Sequence, residues 1–220
     1  MNTPFRKTCR TNLAAVPGVV AALLLCGCAT TPRPAPIEHA FAASAQQGNP
    51  MAQYALGMRI LSRAHTPEER APGIAWIERA AHENLAVAQD RLGWMYLTGH
   101  DLPQDTARAL VWLHRAAARG APAAQLQLGR LYAVGAILPV DKAKAYYWYS
   151  VAARPWHSDV TIFNIVQVRF LARMRAMALA ASLTSAERAA ADRQAAAWAP
   201  TPSFPYSGSV PVNRMPRRAD

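Results

Sequence analysis

The chain has 220 residues, of which 52% are hydrophobic, and carries 24 Lys+Arg against 13 Asp+Glu for a formal net charge of +11. This length allows one domain or two small ones, and the composition excludes collagen, a long coiled coil and wholesale disorder. No apolar run is long enough to span a bilayer as a mature helix.

Residues 1–27 read as an export signal. Arg6, Lys7 and Arg10 form a positive opening, and Leu13 to Leu25 form a short apolar stretch broken by Pro17 and Gly18. It ends in Leu25-Cys26-Gly27-Cys28. This resembles a bacterial lipobox. The resemblance implies cleavage after Gly27, diacylglycerol on the Cys28 thiol, and Cys28 as the mature N-terminus. An ordinary signal peptide cleaved nearby is the alternative. Ala29, rather than Asp, follows Cys28, and by the same resemblance this favours the outer membrane, with the protein facing the periplasm. Cys9, Cys26 and Cys28 are the only cysteines, so neither a disulfide framework nor a cysteine zinc site is expected. Loss of Arg6, Lys7 and Arg10 lowers the net charge from +11 to +8. A basic balance raises the idea of nucleic acid, but the export signal argues against it. Residues 28–36, with Pro32, Pro34 and Pro36, form an extended tether.

Residues 37–198 read as an all-α solenoid. The chain repeats every 36 residues: Ala52, Ala88 and Ala124 align, as do Gln53, Gln89 and Gln125, then Gly57, Gly93 and Gly129. Pro67, Pro103 and Pro139 follow in the same register, then Trp76, Trp112 and Trp148, then the pairs beginning at Ala80, Ala116 and Ala152. A period of this size marks stacked supersecondary units. The units fall at about 48–83, 84–119 and 120–157. Each predicts two helices. First helices run roughly over 50–62, 86–98 and 122–134, and second helices over 106–118 and 142–154 in units two and three. Asp105 and Asp141 are N-cap candidates. In unit one, Thr66 to Glu69 has capping-box spacing, but Pro72 would then fall inside the helix at a cost of about 3 kcal/mol, so the second helix is expected to begin near Arg70. A mid-helix glycine costs about 1 kcal/mol; three in one register predict a second helix passing too close for a side chain. The tryptophans are expected to fill the space between units.

Residues 37–47 sit in register with a second helix and should cover the first unit. Residues 159–198 supply the closing helices. A helix over 159–181 has apolar positions at Ile162, Ile165, Val166 and Phe170, and a basic stretch at Arg169, Arg173 and Arg175, read as a solvated face with an anionic partner as the alternative. Thr184 and Glu187 have capping-box spacing, opening a helix to Trp198. Residues 199–220 are rich in proline and are expected to be a disordered tail.

The segments Ala88-Gln-Asp-Arg-Leu92-Gly93-Trp-Met-Tyr96 and Ala124-Gln-Leu-Gln-Leu128-Gly129-Arg-Leu-Tyr132, each followed by a Gly/Pro turn, a Trp and paired alanines, resemble the Sel1-like repeat. Unit one departs, with Ile60 for the tyrosine and Arg63 for the turn glycine. The resemblance covers about 48–157. It implies an α/α superhelix related to tetratricopeptide arrays, used mostly for protein binding.

No catalytic motif stands out, and no cofactor or metal is expected. His82-Glu83 opens like a zinc-protease motif, but position 86 is alanine. The six histidines lack metal-ligand spacing, and Asp101 and Asp105, flanking a turn, read as caps. In tetratricopeptide geometry the first helices line the concave face. The position three before the shared glycine gives Tyr54, Asp90 and Leu126; the position after it gives Met58, Trp94 and Arg130. This mix suits recognition of a protein or peptide partner, with extension of the core by Met58 and Trp94 as the alternative. The expectation is a lipid-anchored envelope scaffold that binds a protein partner and no nucleic acid. The alternatives are an envelope hydrolase acting on peptidoglycan or a β-lactam, and a polysaccharide-associated structural lipoprotein.

Overall fold

The computed structural model describes residues 37–155 and 165–201. The export signal, Cys28, the tether, residues 156–164 and residues 202–220 lie outside the described residues.

Among the described residues the chain forms nine α-helices and no strand. They are α1 (Ile37–Gln46), α2 (Pro50–Arg63), α3 (Pro67–His82), α4 (Ala86–Thr98), α5 (Thr106–Ala118), α6 (Pro122–Val134), α7 (Lys142–Ala153), α8 (Ile165–Ala180) and α9 (Ser185–Ala197). The hairpins α2–α3, α4–α5 and α6–α7 are the three units. Each packs on the next, and α1 packs on α2 as expected of a cover. At the other end α8 and α9 both pack on α7.

The shared glycines set the crossing within each hairpin. A Cβ at Gly57 would lie 2.7 Å from the Gly73 carbonyl oxygen, and one at Gly93 would lie 2.7 Å from Leu113 Cγ. At Gly129 it would meet the Tyr149 ring at 2.5 Å. The residue one after each repeated tryptophan (Ile77, Leu113, Tyr149) thus fills the glycine notch. Trp112 stands edge-on to His82 at 5.2 Å, and Trp148 edge-on to His114 at 5.8 Å. In both cases the ring meets the second helix of the preceding unit. Arg79 lies over Trp76 and Arg115 over Trp112, each 4.9 Å from the ring centroid. The three tryptophans therefore occupy corresponding positions, with Trp112 at the buried centre and Trp76 and Trp148 half-buried.

The aligned glutamines join the units. Gln89 Nε2 donates to the Ala81 carbonyl at 3.0 Å, Gln125 Nε2 to Ala117 at 3.0 Å, and Gln53 Nε2 to Ala45 at 3.4 Å. All three side chains are buried. Each ties the start of a first helix to the last turn of the helix before it. That last turn closes the same way three times. Gly48, Asn84 and Gly120 adopt positive φ of 89°, 68° and 83°. The following amide then bonds back to the helix: Leu85 N donates to Ala80 O, and Ala121 N to Ala116 O, both at 3.0 Å. This is the Schellman closure, which uses up carbonyls left open at a helix end.

Asp105 and Asp141 cap α5 and α7, accepting from the amides of Arg108 and Lys144 at 2.9 and 2.8 Å. Gly99 and Gly135 end α4 and α6 in the left-handed conformation. Unit one differs. Its second helix starts at Pro67, not near Arg70, and Pro72 lies inside it. The Thr66–Glu69 capping box closes from both sides, and Glu69 Oε2 also accepts from the His65 amide at 2.7 Å. These bonds, with Pro67 in the first turn, anchor the start of the helix three residues ahead of α5's and offset the interior proline.

The end of the array departs from expectation at α8. The part of the predicted helix before Ile165, including Ile162, lies outside the described residues. The buried positions of α8 are Ala172 and Ala176, whereas Val166 and Phe170, two of the apolar positions read from the sequence, are exposed, and Ile165 is half-buried. Small residues are needed on the inner side because α8 lies close along α7. The expected capping box at Thr184 and Glu187 forms. Tyr146 donates to Asp192 Oδ1 at 2.8 Å, and the Arg154 guanidinium donates to the Ala195 carbonyl, fixing α9 on α7. Residues 199–201, expected to begin a disordered tail, run to the end of α5, where Thr201 N donates to the Ala118 carbonyl at 2.8 Å.

Candidate partner-binding groove

The first helices carry the candidate site. α4 touches α6 as well as its own hairpin partner α5, which makes the first helices the inner side of the stack. Tyr54 and Met58 on α2, with Trp94 on α4, are half-buried and pack on the edge of the main core. Leu126 on α6 is half-buried too, but packs on the second core cluster, around Tyr146 and Tyr149. Arg130 is exposed. The structure thus gathers Tyr54, Asp90, Met58 and Trp94 around α2 and α4, and places Leu126 and Arg130 on the next unit.

The electrostatic centre is Asp90. Burial pushes its carboxyl up to about 7 against the opposing pull of the neighbouring Arg91. Tyr54 shares this setting: burial raises its phenol first, Arg91 opposes, and the Asp90 charge raises it further. A carboxyl with this affinity for its proton is an O–H donor as well as an acceptor near neutral pH.

Arg91, which the sequence pattern did not single out, is the organising cation. Its guanidinium lies 4.7 Å from the Trp94 ring centroid and 3.6 Å from Asp101 Oδ2. Asp101 is 4% exposed and also pairs with Arg70 at 2.7 Å. The expectation that Asp101 acts as a cap is therefore corrected. It sits at φ 72° in the turn after α4 and joins α3 of unit one to the inner face of unit two. His100 completes the surround, edge-on to Trp94 at 5.5 Å. Trp94 is held between a cation and an imidazole and remains half-buried. Nothing in the spacing could reveal Asp101, because its role depends on a left-handed backbone at a non-glycine residue. Arg91 was legible only as the neighbour of Asp90. Among the described residues no group of three or more His, Cys, Asp or Glu could hold a metal ion.

The hairpins, their glycine notches and the glutamine ties define an α/α repeat solenoid. The Sel1 repeat family matches residues 50–85, 86–120 and 122–154, each span beginning at the first residue of α2, α4 or α6. A solved Sel1 repeat protein from Oxalobacter formigenes is similar at 30% identity and a TM-score of 0.53, over 64% of this chain and 97% of that one. A protective antigen of uropathogenic Escherichia coli strains, which displays an SLR fold, is similar at 28% identity and a TM-score of 0.54 over 70% of this chain. The chain spans 31% of that antigen's length. No curated protein sequence matches significantly. The chain belongs to the Sel1 repeat family. Sel1 repeats generally serve as scaffolds for protein–protein interaction.

Proposed function

We propose that the protein is a cell-envelope lipoprotein, anchored by acyl chains on Cys28, that holds a protein or peptide partner on the inner face of its solenoid. The observation that carries the groove is the Asp90 site. No hydrogen bond or ion pair within the described residues engages this half-buried carboxyl, beside an aromatic platform already rigidified by Arg91. A peptide carbonyl would accept from the protonated carboxyl, and Tyr54 and Trp94 would cover the peptide's apolar side chains. Arg130 supplies a cation one unit further along. The Cys28 anchor rests on the lipobox resemblance, which also favours the outer membrane and the periplasmic side.

The test is a photo-crosslinker placed at Met58 in the full chain, in cells, followed by identification of the adduct. A single protein partner, released by Asp90→Lys or Arg130→Glu, is expected. Adducts unaffected by both changes would overturn the groove. A mature N-terminal peptide lacking acyl mass on Cys28 would separately overturn the anchor. Turnover of peptidoglycan or a β-lactam that depends on Asp90 would point instead to the hydrolase reading.

A further inference from the structure

α8 is apolar on two sides. Ala172 and Ala176 face the array and are buried. On the opposite side stand Val166, Phe170, Met174 and Met177, which are 77%, 66%, 48% and 63% exposed. Successive residues turn by about 100° in a helix, so these four fall on one ridge along its length. Arg173 and Arg175 are exposed; the same turn per residue sets Arg173 beside Val166 and Arg175 on the other side, beyond the exposed Leu171. The helix Ile165–Ala180 contains no acidic residue. A terminal helix of a solenoid needs only one apolar face, and a closing helix ordinarily turns a polar face outward. Here the outward face has the larger side chains.

The composition of this ridge points to its occupant. It holds two Met, a Phe and a Val, and the one hydrogen-bonding group on this face is Gln167, in the first turn of the helix. The cations lie at its margins, where long side chains can reach headgroups while the ridge sits among acyl chains. With 16 residues and three arginines α8 cannot cross a membrane, so it would lie along one. We infer that the outer face of α8 is a docking surface for an anionic lipid bilayer, with Val166, Phe170, Met174 and Met177 inserted and Arg173 and Arg175 at the phosphate level. The inference is independent of the Cys28 anchor, because it concerns which face of the folded array meets the lipid.

The experiment places benzoylphenylalanine at Phe170 in the full chain, with Met51 on α2 as the control position and Met174 as a second site on the ridge. The chain is mixed with vesicles of phosphatidylglycerol and phosphatidylcholine, or of phosphatidylcholine alone, and the adducts are read by mass. Lipid adducts are expected at 170 and 174 in the anionic vesicles and not at 51. An arginine near an anionic surface is worth roughly fivefold in binding, so the Arg173→Glu/Arg175→Glu variant should lose about tenfold or more of the adduct, as should neutral vesicles. Circular dichroism checks that each variant keeps its helix content. Adducts to another copy of the chain, or to residues 156–164 or 202–220, would overturn the inference in favour of a protein cover. Lipid adducts of equal yield in neutral vesicles, or no adduct at either ridge position, would overturn it as well.

Discussion

Replacing Asp90 by Asn keeps the shape of the protonated carboxyl and removes its titration. The carboxyl has its folded value near 7 against an ordinary value of 3.8. Between those two values the folded state keeps a proton that the unfolded chain has released. Stability therefore falls as the pH rises through this window, and is level above it. At about 1.4 kcal/mol per pH unit, full desolvation would set the loss at pH 8 near 4 kcal/mol. Asp90 keeps some contact with water, so about half of that, roughly 2 kcal/mol, is the working figure. Asp90→Asn should accordingly be about 2 kcal/mol more stable than the parent at pH 8, and the difference should shrink below about 0.5 kcal/mol at pH 3.5, under the ordinary carboxyl value. Urea unfolding of both proteins at the two pH values, followed by circular dichroism, gives the comparison, and other titrating groups largely cancel between them. A difference that stays constant with pH, or an Asn variant that is weaker at pH 8, would refute the account of the groove as a site that holds a proton.

The remaining predictions concern the frame. Gly57→Ala forces a Cβ to 2.7 Å from the Gly73 carbonyl oxygen; overpacking exceeds the helix-propensity gain, and a net loss of about 1–2 kcal/mol is expected in thermal unfolding. Gly93→Ala meets the Leu113 side chain first, with the nearest backbone atom, Leu113 N, at 3.2 Å, and should lose less, so a Gly57 variant as stable as the parent would contradict the close crossing. Gln89→Ala gives up the bond to the Ala81 carbonyl and leaves a cavity, for about 2–3 kcal/mol. Gln89→Leu fills the space and removes the unpaired Oε1, so it should stay within about 1 kcal/mol of the parent. Asp101→Asn breaks the contacts to Arg70 and Arg91 at a cost of about 2 kcal/mol, below the range for fully buried pairs because both guanidinium groups still reach water. It should also shift tryptophan emission as Trp94 loosens.

Much of the frame was legible because it is written three times. One tryptophan says little, but three at 36-residue spacing fix the register, and the helix limits then follow from Asp105, Asp141 and the turn glycines. The glutamines were visible as an alignment but not as ties, since their partners are backbone carbonyls and carry no side-chain signature. Unit one was misjudged at Pro72, where a local penalty was set against the capping box without the offsetting bonds from His65 and Thr66. In the groove, Tyr54, Asp90 and Trp94 could be placed by register alone. Arg91 and Asp101 could not, because their pairing depends on the turn after α4 and on α3 of the unit before it.

The exposure of Val166 and Phe170 on α8 has a physical origin that bears on function. Periodicity identifies an apolar side of a helix and assigns it to the core, which is sound when only one such side exists. α8 has two, and the choice between them is made by distance: Ala172 and Ala176 are the side chains buried at closest approach, with Leu179 half-buried against the Tyr146–Tyr149 cluster. The larger side chains are then turned outward by exclusion rather than by attraction to water. A sequence that placed Val166, Phe170, Met174 and Met177 there without a partner would expose a continuous apolar ridge, which folded proteins ordinarily cover. The arginines on its flanks restrict what the cover can be, since they favour a surface that is apolar along its middle and anionic at its edges.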